Sequence, residues 1–195
     1  TRRTRTPTDV SLNWSIDALT FDFPLLAAPM DSVMSPATAI AFGKMGGLAV
    51  LNLEGVWTRY EDPEPLLAEL ADLDDPATAT RRMQEIYSAP IQAELITERM
   101  KQIRDAGVPV AGALSPQRTR EFAPVVEKAG VDFFVIRGTT VSAEHVSTSE
   151  EPLNLKDFIY SLDVPVIVGG CATYQAALHL MRTGAAGVLV GFGRP

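Results

Sequence analysis

The chain has 195 residues, 46% of them hydrophobic, enough for one domain with a substantial core. Acidic residues exceed basic ones, 24 Asp and Glu against 17 Lys and Arg, for a formal net charge of -7, which excludes a nucleic-acid or anionic-membrane partner held by bulk charge. One cysteine, Cys171, and two histidines, His145 and His179, exclude an internal disulfide framework and a Cys/His metal pattern.

This cysteine usage fits a reducing, cytoplasmic setting. No apolar run approaches the roughly 20 residues that a membrane helix needs. The leading TRRTRTP is basic and lacks the apolar region of a secretory signal. Residues 1–20 read as a lead-in segment outside the core, and residues 21–195 as the folded domain. The first strand is FPLLAAPM. Ser35-Pro36 then starts a helix running to about Met45, with Ser as N-cap and Pro in the first turn. GKMGGLAVLNL closes that helix and opens a second strand. Two short helices, 63–71 and 76–87, are split by the acidic DLDDP. A strongly periodic helix over 90–106 carries Ile91, Leu95, Ile96, Met100 and Ile103. DAGVPVAGAL holds the third strand, and Ser115-Pro116 opens a helix ending near Ala129. KAGVDFFVIRG holds the fourth strand. A short helix over 154–162 leads to the fifth, LDVPVIVGG. Thr173 caps a helix ending at Thr183, and RTGAAGVLVGFG holds the sixth strand.

One grammar recurs: a helix ends in a glycine C-cap and a short apolar strand follows. The strands are continuous apolar runs rather than alternating ones, so both faces are buried, as in a parallel sheet covered by helices. Strict alternation of strand and helix leaves a doubly wound sheet or a (β/α)8 barrel. A complete barrel takes about 250 residues, so about six βα units fit here. No Gly-x-Gly-x-x-Gly follows the first strand, which counts against a doubly wound dinucleotide fold.

In either architecture ligands bind at the carboxyl ends of the strands. Those ends carry Ala28 to Ser32, Asn52 to Gly55, Ala113 to Ser115, Arg137 to Thr140, Gly169 to Thr173, and Gly191 to Gly193. The set is rich in Gly, Ser and Thr, which suits backbone donors holding phosphate and sugar hydroxyls. Asp31, Glu54 and Arg137 are its charged members before Arg194. Asp31 reads either as an acceptor for a ligand hydroxyl or as a cap of its own loop. Cys171, at a strand end before a helix, reads either as a nucleophile activated by the helix N-terminus or as a small buried residue at a tight turn. His145 lies in the polar SAEHVSTSEEP as a loop or lid residue, and His179 lies mid-helix as a structural one.

The stretch FPLLAAPMDSVMSPATAIAFGKMGGLAVLN resembles the first βαβ unit of the IMP dehydrogenase and GMP reductase family. VPVIVGGCAT and TGAAGVLVGFG resemble that family's fifth and sixth strands. RRTRTPTDVSLNWSIDA, LNLEGVWTRYEDPEPLLAEL and IQAELITERMKQIRDAGVPVAGALSPQ resemble its short subgroup, which lacks the cystathionine-β-synthase domains. The resemblance implies a (β/α)8 TIM barrel, incomplete in this chain, and a homotetramer. It implies conversion of IMP, NAD and water to XMP and NADH through a cysteine thioimidate, a step of guanine-nucleotide synthesis. The alternatives are GMP reductase, a non-catalytic purine-nucleotide-binding paralogue and, more distantly, a flavin-dependent barrel oxidoreductase.

By the same resemblance, Ala28, Met30, Gly170, Gly191 and Gly193 contact the purine nucleotide. Arg137, Gly138 and Thr139 contact the dinucleotide, and the loop of Gly191 and Gly193 holds a monovalent cation, K+. This chain departs from the family pattern at two places. Gly170 stands where Asn is usual, and Arg137-Gly138 stands where Asp-Ser is usual. In this register Cys171 does not align with the catalytic cysteine, which is expected beyond Pro195 together with two further strands.

Overall fold

Six short apolar runs pair edge to edge in the order in which they occur along the chain. The computed structural model describes residues 6–138, 141 and 154–191. The six strands are β3 (Leu26–Ala27), β4 (Leu48–Asn52), β5 (Ala111–Leu114), β6 (Phe133–Arg137), β7 (Val166–Cys171) and β8 (Gly187–Val190). They form one sheet in the order β3-β4-β5-β6-β7-β8, and every pairing is parallel. A doubly wound sheet reverses its strand order at a switch point. This sheet never reverses, so it is the curled wall of an incomplete (β/α)8 barrel.

The helices are α1 (Pro36–Lys44), α2 (Glu64–Ala71), α3 (Pro76–Tyr87), α4 (Ala93–Asp105), α5 (Pro116–Ala129), α6 (Leu155–Ser161) and α7 (Tyr174–Met181). Four have a side-chain N-cap. Ser35 accepts from the Thr38 amide, Asp75 from that of Thr78, Asn154 from that of Asp157 and Thr173 from that of Ala176. The repeated glycines end helices as the grammar requires: Gly46, Gly107, Gly130 and Gly184 have φ of +95°, +74°, +70° and +89°.

Two helix boundaries differ from expectation. α4 starts at Ala93 rather than Pro90, because Gln92 is extended and tied elsewhere. Its amide donates to the Thr58 carbonyl (2.8 Å) and its side chain to the Arg59 carbonyl (2.6 Å). α7 stops at Met181, two residues before Thr183, whose buried hydroxyl donates to the Leu180 carbonyl (2.6 Å).

The strand residues divide by alternation into two clusters. Ala49, Leu51, Leu114, Phe134, Ile136, Val166 and Val168 meet the helices, chiefly Ile96, Met100 and Ile103 of α4. Leu48, Val50, Ala111, Ala113, Phe133, Val135 and Ile167 point into the barrel. In β4 to β7 both faces are therefore buried, which is why these strands read as unbroken apolar runs.

The expectation that the first twenty residues lie outside the core is corrected. Strands β1 (Trp14–Ile16) and β2 (Leu19–Phe21) form an antiparallel hairpin. Ile16 and Phe21 are buried in the barrel-interior cluster, and Phe21 meets Phe133 with ring centroids 6.3 Å apart. The hairpin covers the end where the strands begin, since the Asp22 amide donates to the Gly46 carbonyl (3.1 Å), just before β4. It closes the interior that would otherwise expose apolar strand residues to water.

Candidate functional site

Because all six strands run in one direction, their carboxyl ends share one rim. A cleft of about 330 Å³ opens there, lined by Pro29, Asn52, Glu54, Arg59, Tyr87, Ala113, Leu114, Ser115 and Arg137. These residues lie at or just after the ends of β3, β4, β5 and β6, with two more, Arg59 and Tyr87, from the excursion between β4 and β5. The volume is within the range of small-molecule sites.

Asp31 ties the first of these loops to the excursion. Its Oδ2 accepts from the Val56 amide (2.9 Å) and from the Tyr87 hydroxyl (2.5 Å). Oδ1 is buried with no partner. The carboxylate lies directly against Gly55, where any Cβ would collide with it. So Asp31 works as an internal cap, the second of its two sequence readings. Arg99, 8% exposed, supports the same turn by donating to the carbonyls of Trp57 (3.0 Å), Tyr60 (3.3 Å) and Glu61 (2.6 Å).

Glu54 and Arg59 join the next two loops. A Glu54 carboxylate oxygen accepts from the Ser115 amide, and the Glu54 amide donates to Asn52 Oδ1 (3.1 Å). Arg59 donates to the carbonyls of Glu54 (2.9 Å) and Ala89, and its guanidinium lies 5.8 Å from the Tyr87 ring centroid. Arg137 reaches from the end of β6 across the mouth to the Pro29 carbonyl (3.4 Å).

Burial, with the Asp31 hydrogen bond and charge behind it, pushes the Tyr87 hydroxyl well above the ordinary tyrosine pKa, against the opposing pull of Arg59. The folded state therefore holds the proton more tightly than the unfolded chain does. That stability is fully present below about pH 10 and falls as pH rises from there through the folded pKa. Urea midpoints measured between roughly pH 9 and 11 are expected to fall, and to fall less in Tyr87→Phe. Equal slopes in the two proteins would show that Tyr87 does not contribute.

The residues named from sequence are distributed as follows. Ala28 is exposed and Met30 half-buried, both on the rim after β3. Gly138 and Gly170 are spent on each other: the Gly170 amide donates to the Gly138 carbonyl (3.0 Å), and the Gly170 carbonyl accepts from Val141 (3.1 Å). Gly191 is exposed at the end of β8, with φ +101° and its amide donating to the Cys171 carbonyl (2.6 Å). Thr139, Gly193 and His145 lie outside the described residues. His179 is exposed in the last turn of α7.

Of the two readings of Cys171, the buried residue at a tight turn is the one that fits its place. The thiol is 1% exposed, belongs to the helix-facing core and lies 3.6 Å from the Leu189 carbonyl, to which it donates. Arg59 and Tyr87 were missed in the sequence. They sit in a turn and at a helix end, with no motif around them, and only the fold brings them to the rim. Among the described residues no group of three His, Cys, Asp or Glu side chains could hold a metal ion.

Known proteins share this arrangement. A crystal structure of an IMP dehydrogenase/GMP reductase-like protein from Corynebacterium glutamicum superposes with a TM-score of 0.92 at 50% sequence identity, over 99% of this chain and 52% of that one. Uncharacterized oxidoreductases of Mycobacterium tuberculosis and Mycobacterium leprae are 48% and 47% identical over 98% of this chain and 52% of their own lengths. The chain thus spans about half the length of the relatives it matches. The model of the IMP dehydrogenase / GMP reductase domain matches residues 2–194, and with this fold and this rim the chain belongs to the IMP dehydrogenase and GMP reductase family.

Proposed function

We propose that the protein is an IMP dehydrogenase-type oxidoreductase of guanine-nucleotide synthesis, which takes IMP, NAD and water to XMP and NADH. The observation that carries this reading is a polar cleft on the carboxyl-end rim of a barrel wall belonging to this family. The chain's own residues suit the task of binding. Glu54 offers a carboxylate oxygen not used by Ser115, and Asn52, Ser115 and Arg137 offer donors. A bound dinucleotide would supply the hydride chemistry, held by these groups. The thiol that attacks the purine in this reaction is not Cys171. A cytoplasmic homotetramer and a K+ requirement accompany the proposal.

The test is the NADH absorbance band on mixing full-length protein with IMP and NAD. Turnover of GMP with NADPH instead would assign the protein as a GMP reductase. Nucleotide binding without either turnover would make it a non-catalytic paralogue, a reading favoured by Arg137 at the cleft. Cys171→Ser is expected to keep activity within about tenfold, because a buried thiol that touches no substrate contributes only packing. A loss of about a thousandfold with the fold intact would return the nucleophile to Cys171.

A further inference from the structure

One wall of the cleft, with Arg59 and Tyr87, comes from the excursion between β4 and β5, and another, with Pro29, from the loop after β3. The excursion is closed on itself at its base. Arg59 donates to the Ala89 carbonyl, the Tyr60 hydroxyl to that of Ile86 (2.9 Å), and the Gln92 amide to that of Thr58 (2.8 Å). Beyond the base, α2 buries no residue and α3 buries only Ile86. The base is thus a unit of its own, built from both ends of the excursion.

Asp31 joins that unit to the loop carrying Pro29. Its Oδ2 takes the Val56 amide from the start of the excursion and the Tyr87 hydroxyl from its end. The join is tight, since Gly55 lies so close that a Cβ there would collide with the carboxylate. A phenol has one O–H to donate, and Asp31 takes it. The Tyr87 ring meanwhile carries the Arg59 guanidinium, 5.8 Å from its centroid. Tyr87 therefore touches both walls, one through its hydroxyl and the other through its ring.

We propose that Tyr87 is a positioning residue: its hydroxyl, acting through Asp31, sets the spacing between the Pro29 wall and the Arg59 wall, and so the fit of the substrate. This rests on the functional reading above, which places the substrate in this cleft. The physical reason is preorganisation. Walls already at their bound spacing spend no binding energy on reaching it. When only a fraction of folded molecules holds that spacing, the apparent affinity falls by that fraction, while every folded molecule still binds.

The test is calorimetric titration of full-length protein with IMP, for the wild type, Tyr87→Phe, Asp31→Ala and the double variant. Tyr87→Phe keeps the ring and loses the hydroxyl bond. It is expected to raise the IMP dissociation constant about three- to tenfold at unchanged stoichiometry. A merely structural role would do the reverse, because unfolded molecules lower the stoichiometry and leave the dissociation constant of the rest alone. Asp31→Ala should raise the constant at least as much, and the double variant no further than Asp31→Ala, because the hydroxyl acts only through that carboxylate. Should Asp31→Ala lose its fold, Asp31→Asn takes its place, and the effect of Tyr87→Phe should shrink in that background. Arg82→Ala, which breaks the pair with Glu69 elsewhere in the excursion, should bind IMP as the wild type does. Additive losses would make the hydroxyl a direct ligand contact and overturn the positioning role. An unchanged dissociation constant in Tyr87→Phe, or an equal loss in Arg82→Ala, would overturn it too. Wild-type protein that does not bind IMP would remove the functional reading and this inference together; wild-type binding matched by all the variants would remove this inference alone.

Discussion

Replacing Phe133 with alanine is expected to lower the unfolding free energy by about 3–5 kcal/mol. Phe133 is fully buried at the start of β6, in the cluster that fills the barrel interior. Its ring faces Phe21 of the hairpin at 6.3 Å and shares the space with Leu48, Val50, Val135 and Ile167. Strand backbones on one side and the hairpin on the other hold the surrounding cage, so it collapses poorly when the ring is removed and a cavity remains. Urea unfolding of the full-length protein should show a lower midpoint with an unchanged slope. Phe21→Ala should also destabilise, and the double variant should lose less than the sum, because the two rings share one contact. Additive losses would mean that the hairpin does not pack on Phe133, and a Phe133→Ala loss under about 1 kcal/mol would mean that the interior is not filled in this way.

Asp31→Ala is expected to cost about 2–4 kcal/mol and to loosen the cleft. The carboxylate oxygen Oδ2 serves two donors, the Val56 amide and the Tyr87 hydroxyl, in a half-buried place. Alanine leaves both unpaired, and each unsatisfied group carries a desolvation cost. Asp31→Asn separates charge from geometry. An amide oxygen in the Oδ2 position can still accept both bonds, but its NH2 then occupies the Oδ1 position against Gly55, where no acceptor waits. A smaller loss, about 1–2 kcal/mol, follows from that one unsatisfied donor. Hydrogen exchange at the Val56 amide is the direct readout: protection should fall sharply in Asp31→Ala and mildly in Asp31→Asn. Unchanged protection in both variants would show that this loop and the excursion are held together by something else.

The same network explains how a long excursion becomes part of a binding site. Between α2 and α3, Arg82 pairs with Glu69 at the surface (2.6 Å). Exposed pairs of this kind contribute little. The Tyr87 and Arg59 bonds to Asp31, Glu54 and Ala89 are what bring the end of α3 to the rim.

The parallel sheet and its helices were legible in the chain. A strand buried on both faces must be apolar throughout, and a helix that stops before such a strand needs a residue that tolerates positive φ. These local demands put KMGG, DAGV, KAGV and RTGA in the sequence, and they were met at Gly46, Gly107, Gly130 and Gly184. The N-terminal hairpin was not legible. Its strands are three residues each, and its turn is Asp17-Ala18, with Asp17 at φ +52° and no glycine to signal it. Its burial depends on Phe133, Val50 and Ile167, which are far away in sequence.

The site divided in the same way. Glu54, Ser115 and Arg137 could be named because strand ends of a parallel sheet share a rim, a rule that needs only the strand positions. What each of them does was decided by tertiary structure. Arg59, Arg99 and Arg137 are chemically identical in the sequence, yet Arg99 is buried against three backbone carbonyls while Arg59 and Arg137 line the cleft. Cys171 lies at a strand end, as a nucleophile would, but its thiol is buried in the helix-facing core. The sequence by itself determined which residues form strands and helices, because that choice depends on neighbours a few positions away. Only the fold determined which polar groups remain unpaired at the rim, because their partners come from carbonyls and carboxylates tens of residues distant.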